Sequence, residues 1–129
     1  KYIKEGEAHI LQFKDIPGGV CIFRVHGPFL FGAADKLDVI TDQLDELPQI
    51  VILRLRNMTA IDGTGLHAIE DLATALHETG RTLIMCGMRG QPMRLMRRAE
   101  FEDVVGRENL CSDVSSAIER ARAVLGASA

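Results

Sequence analysis

The sequence contains no run of about 18 apolar residues, so no segment of it reads as a membrane span. The first residues, Lys1-Tyr2-Ile3-Lys4-Glu5-Gly6-Glu7, lack the apolar core of a signal peptide. No G-x-G-x-x-G and no Walker lysine follows any strand-like run, which leaves dinucleotide and P-loop folds with little support. Cysteine is scarce: Cys21, Cys86 and Cys111 are odd in number, far apart and set in apolar segments. They read as buried thiols in a reducing compartment rather than disulfides or metal ligands. His9, His26, His67 and His77 form no H-x-x-x-H pair and no Cys/His cluster, so each reads as a surface or lightly paired side chain. No nucleophile–base pair, carboxylate pair or metal cluster can be assembled from spacing, and the chain reads as a non-enzyme. A net charge of −3 argues against general nucleic-acid binding.

What remains is an ordinary globular composition, 47% hydrophobic and 26% charged over 129 residues. That length predicts one domain, residues 1–129, with its core over about 8–125 and a frayed end at 126–129. The stretch Gln49 to Gly80 organises it. Ile50-Val51-Ile52-Leu53 is a continuous apolar run, as for a strand buried on both faces of a parallel sheet. After a polar break at Arg56-Asn57 the chain reaches Ile61-Asp62-Gly63-Thr64-Gly65-Leu66. From there Leu66, Ile69, Leu72 and Leu76 share one helical face, with His67, Glu70, Asp71, Thr74 and Glu78 opposite. Gly80 supplies the stop. Asp62 stands where an N-cap belongs, able to accept the amide proton of Thr64 or Gly65. Two glycines around Thr64 leave backbone that another molecule can approach.

Elsewhere, His9 to Phe13 and Val20 to Val25 read as an antiparallel hairpin around the turn Asp15-Ile16-Pro17-Gly18-Gly19. His26-Gly27-Pro28 breaks the second strand, and Phe29-Leu30-Phe31 is a brief apolar extension. A helix follows with Leu37, Ile40, Leu44 and Leu47 inward, its acidic face (Asp38, Asp42, Asp45, Glu46) in solvent, and Pro48 at its end. Thr82-Leu83-Ile84-Met85-Cys86 is another buried strand. Phe101, Val104 and Val105 continue the core, and Asn109-Leu110-Cys111 is a last short strand. A final helix is capped by Ser112 or Ser116, the latter with Glu119, and lines its inner face with Val114, Ile118, Ala121 and Leu125. The alternation predicts an α/β domain with a mostly parallel sheet, an antiparallel N-terminal strand, and about four strands and four helices.

Between Arg81 and Arg98 there is no acidic residue, and Arg89, Arg94, Arg97 and Arg98 cluster with Met85, Met88, Met93 and Met96. Pro92 suits the first turn of a short helix in which Leu95 and Ala99 face inward. Methionine adapts to irregular partners and arginine binds phosphate bidentately, so these arginines form a candidate docking surface for a protein, lipid headgroups or a membrane part. The plainer alternative has the methionines filling core gaps and the arginines solvated.

The strand–turn–Asp62-Gly63-Thr64-Gly65-Leu66–helix stretch resembles the signature loop of STAS domains (sulfate transporter and anti-sigma-factor antagonist). Val20 to Pro28, Phe29 to Leu37 with its Phe-Gly-Ala-Ala-Asp stretch, and Ile61 to Leu66 resemble the branch found as C-terminal domains of SulP-type anion permeases. The similarity runs from about Val20 to Leu125. It implies a STAS-like fold and a non-catalytic cytoplasmic regulatory or interaction domain, at the membrane face as part of a sulfate or related anion transporter. The partners implied are the membrane part of the same transporter and a regulatory protein, with oligomers formed through the full transporter. Asp62, Gly63, Thr64 and Gly65 become candidate ligand or partner contacts. No cofactor is implied, a nucleotide at the Asp62 loop being the weaker alternative.

The competing reading is a free-standing anti-sigma-factor antagonist switched by a kinase. In that branch the phosphate goes on a hydroxyl residue directly after the loop aspartate, and here that position is Gly63. Thr64 comes one residue later, about 100° around the helix.

Overall fold

The computed structural model describes residues 8–10, 18–31 and 34–128. Its apolar runs form a central sheet. β1 (Ala8–Ile10), β2 (Val20–Val25), β4 (Ile50–Arg54), β6 (Thr82–Cys86) and β7 (Leu110–Cys111) lie side by side in the order β1-β2-β4-β6-β7. β1 runs antiparallel to β2, and every other pair is parallel. Register is simple: Val20, Ile50 and Thr82 stand abreast, as do Ile22, Ile52 and Ile84. Because side chains alternate along a strand, odd positions feed one core and even positions the other. Phe23, Val51, Leu53 and Met85 meet α2 (Gly63–Glu78) and the segment around residues 37–40, whereas Ile22, Ile50, Ile52 and Ile84 meet α5 (Val114–Ser128). Burying one such aliphatic side chain stabilises the fold by about 1.5–3 kcal/mol. The expected α/β class, parallel sheet and antiparallel first strand all hold.

The sheet count differs from the expected four strands. A second, two-stranded sheet pairs β3 (Gly27–Phe29) in parallel with β5 (Met58–Ile61). Proline in β3 and the polar residues before β5 hid both. Pro28 is tolerated because the register shifts between Gly27 and Pro28. The helix expected before Pro48 is instead broken into two 3-10 turns, Ala34–Leu37 and Leu44–Glu46, around the single-turn α1 (Asp38–Thr41). Val39 joins Leu37, Ile40 and Leu47 in the core, which a continuous helix would not allow.

After β6 come α3 (Gly90–Arg98) and the single-turn α4 (Glu102–Val105). Pro92 and Met96 are the buried residues of α3, with Leu95 half-buried and Ala99 exposed past its end, so the inward face lies one residue from where periodicity put it. Phe101 is buried, but Val104 is 42% exposed and is not core. α5 is capped by Asp113, whose Oδ1 accepts the Ser116 N–H at 2.8 Å, and not by Ser112 or Ser116. A carboxylate suits this end better than a hydroxyl because it also opposes the helix dipole. Ser116 holds the Asp113 carboxyl below the usual carboxylate range. α5 continues through Ser128, past the frayed end expected from 126. The strand residues expected at 11–13 and the turn residues at 15–17 lie outside the described residues.

Candidate functional site

Asp62 joins β5 to α2 with extended backbone (φ −116°, ψ −176°), which leaves its side chain facing the first helical turn. Its Oδ1 accepts the Gly65 N–H at 2.8 Å, and its backbone oxygen accepts the Leu66 N–H at 2.9 Å. Asp62 is therefore the N-cap. The other carboxylate oxygen does something the sequence did not announce. Oδ2 accepts the Phe31 N–H at 2.9 Å, tying the end of the β3 segment to the start of α2.

The two glycines of the loop have opposite jobs. Gly65 is buried, and a Cβ there would lie 2.3 Å from the Phe29 carbonyl oxygen and 2.8 Å from its ring. The close approach expected at this bare backbone is thus made by the protein's own β3. At Gly63 nothing lies within 4 Å of the Cβ position, and Gly63 and Thr64 are both exposed. Beside them Phe31 is 86% exposed.

α3 reaches the same loop from the far side. Gln91 accepts the Ile61 N–H through Oε1 and donates from Nε2 to the Ile61 carbonyl oxygen, both at 2.8 Å. One side-chain amide therefore completes the hydrogen bonding of β5 where no neighbouring strand does. Gln91 was invisible to motif reading because its role depends on two strands packing beside it. Through it the structure joins the Asp62 loop to the arginine-rich stretch. Arg89, Arg94, Arg97 and Arg98 are all exposed, and none makes a side-chain hydrogen bond or ion pair with another described residue. Of the methionines, Met58, Met85, Met88 and Met96 are buried and Met93 packs against the same core, so they serve as filler.

Burial pushes the thiols of Cys21 and Cys86 up to about 12, and Cys111 is half-buried and also raised, first by burial. His67 lies on the exposed face of α2, 3.4 Å from Glu70 and 3.6 Å from Asp71. Among the described residues no group of three His, Cys, Asp or Glu side chains could hold a metal ion, and no helix is long and apolar enough to cross a membrane.

Comparison with known proteins places this architecture. The bicarbonate transporter BicA of Synechocystis is 28% identical over 109 residues, 84% of this chain and 19% of that protein. The chain spans less than a fifth of the length of the curated transporters it matches. A sulfate transporter family protein from Wolinella succinogenes superposes with a TM-score of 0.79 at 31% identity, covering 88% of this chain and 93% of that one. The SulP transporter STAS domain from Vibrio cholerae gives 0.73 at 26% identity, covering 86% and 87%. The family model for the STAS domain matches residues 14–117. With that match over most of its length, the chain belongs to the STAS domain family.

Proposed function

We propose that the chain is the cytoplasmic regulatory and interaction domain of a SulP-type anion transporter, with no catalysis of its own. The observation that carries this reading is one of proportion: the similarity to BicA covers 84% of this chain but 19% of that transporter. The relatives are named for sulfate and bicarbonate, and the transported anion is of that class. The partner is the membrane part of the same transporter, which also sets any oligomeric state. A docking face is provided by Arg89, Arg94, Arg97 and Arg98, unpaired among the described residues on a chain that is acidic overall. Near an anionic surface each arginine contributes about 1 kcal/mol. Near the N-terminal end of α3, exposed Gly63, Thr64 and Phe31 offer a second contact. The phospho-switch reading is disfavoured by Gly63, which has no hydroxyl.

The test is anion uptake by cells expressing the complete reading frame that contains this chain. Uptake of labelled sulfate or bicarbonate is expected, and Arg94→Gln/Arg97→Gln/Arg98→Gln should alter it while the variant protein still reaches the membrane. A frame that encodes no multi-span hydrophobic region would overturn the transporter reading. Unaltered uptake in the triple variant would overturn the arginine docking face alone.

A further inference from the structure

At the carboxyl ends of β4 and β6, a groove of about 430 Å³ is lined by Arg54, Arg56, Met88, Arg89, Asp113 and Val114, with Ser112 and Ser115 at its side. The groove opens where the chain turns away from the ends of these two adjacent parallel strands. The groove is preformed. A Cβ at Gly87 (φ +83°) would lie 3.0 Å from the Arg56 backbone nitrogen, so the turns after β4 and β6 pack backbone to backbone. Leu55 N–H donates to the Cys86 carbonyl at 2.8 Å, and Gly87 N–H to the Cys111 carbonyl at 3.3 Å, fixing the walls.

Three arginines line the groove against a single aspartate, and none of the three makes a hydrogen bond or ion pair with a described side chain. Arg54 is half-buried and stands in register with Arg24 of β2, so two like charges are held abreast on neighbouring strands. Asp113, whose Oδ1 accepts the Ser116 N–H as the α5 cap, offsets one of the three charges and leaves the arginines in excess. Its charge also sits on the positive end of that helix, so the arginines and not the helix end supply the attraction.

We propose that this groove binds a small organic phosphate, a phosphomonoester. Such a group carries close to two negative charges at neutral pH and three strong acceptor oxygens, matching guanidinium forks in bidentate pairs. The groove lies within the roughly 300–1,000 Å³ of small-molecule sites and exceeds what a bare ion fills. Met88, Val114 and Cys86 give the organic portion an apolar wall. Ser112 and Ser115 add hydroxyl donors. The site is separate from the exposed face formed by Arg94, Arg97 and Arg98, although Arg89 borders both.

Phenyl phosphate, inorganic phosphate and phenol serve as probes in a nuclear magnetic resonance titration of the 129-residue chain. Phenyl phosphate should give saturable shifts at Gly87, Met88, Arg89 and Ser112 to Ser115, stronger than inorganic phosphate, with phenol inert there. Arg54→Gln/Arg56→Gln should weaken binding by about tenfold or more, the loss of a charge-assisted hydrogen bond. Arg94→Gln/Arg97→Gln/Arg98→Gln should leave it unchanged. If the double variant fails to fold, the exposed Arg56→Gln alone carries the same test. No saturable shift at millimolar phenyl phosphate, equal binding by the groove variants, or equal loss in the triple variant would each refute the site. Binding of phosphatidate vesicles without binding of phenyl phosphate would reassign the groove to a lipid headgroup and overturn the small-molecule reading.

Discussion

The Asp62 carboxylate and the Phe31 amide, separated by 31 residues in sequence, meet at 2.9 Å. One side chain thereby performs two tasks, starting α2 through Gly65 and anchoring the segment that follows β3. Asp62→Ala should lower stability by about 0.5–2 kcal/mol through the lost cap. Hydrogen exchange at the Phe31 amide should also accelerate. Urea denaturation reads the first effect and amide exchange the second. An unchanged midpoint would reject the cap, and unchanged exchange at Phe31 would reject the tie.

Gly65 and Gly63 should respond oppositely to the same added methyl group. Gly65→Ala forces a Cβ into the Phe29 carbonyl oxygen, and overpacking of this kind costs about 1–3 kcal/mol or more. Gly63→Ala meets open space in the first turn of α2 and should be neutral or slightly stabilising, since alanine favours helix by about 1 kcal/mol over glycine in a helix interior. Thermal melts of the two variants check the contrast. Similar melting temperatures would show that β3 can retreat from the helix.

The cysteines give a pH dependence. Burial raises Cys21 and Cys86 from 9.0 to about 12, so the folded protein keeps protons that the unfolded chain gives up. Their contribution is fully present below pH 9 and is lost as pH rises from there toward about 12. Stability should therefore fall across that alkaline window. At neutral pH a thiol-specific disulfide reagent should modify Cys111 first, and Cys21 and Cys86 only when urea opens the fold. Rapid labelling of all three in the native protein would contradict this.

How much was legible followed from how local each signal is. Val20 to Val25, Ile50 to Leu53 and Thr82 to Cys86 announce themselves because both faces of each strand are covered, leaving unbroken apolar runs. Asp62 was legible as a cap because its partner Gly65 is three residues away. Phe31 and Gln91 were not, since each pairs with a residue about thirty positions distant. β3 and β5 escaped for a related reason: Pro28 and Thr59 break the pattern, and the short pair is held by Gly65 packing and the Gln91 amide. Asp113 was passed over for neighbouring serines, although a carboxylate satisfies both the amide and the dipole. Arg56 read only as part of a polar break after the strand, and nothing in the local pattern marked Arg54. Only the fold brings Arg89 across to them.

On its β7 side the sheet ends in a ladder of just two residues, Leu110 and Cys111. A visiting strand would find too few free backbone groups there to pair with, so this edge is a poor template for chain-to-chain strand addition. Association on that flank falls to side chains presented by α3, α4 and α5. Contacts of that kind can be made and released as salt or occupancy changes, which a shared backbone ladder would resist.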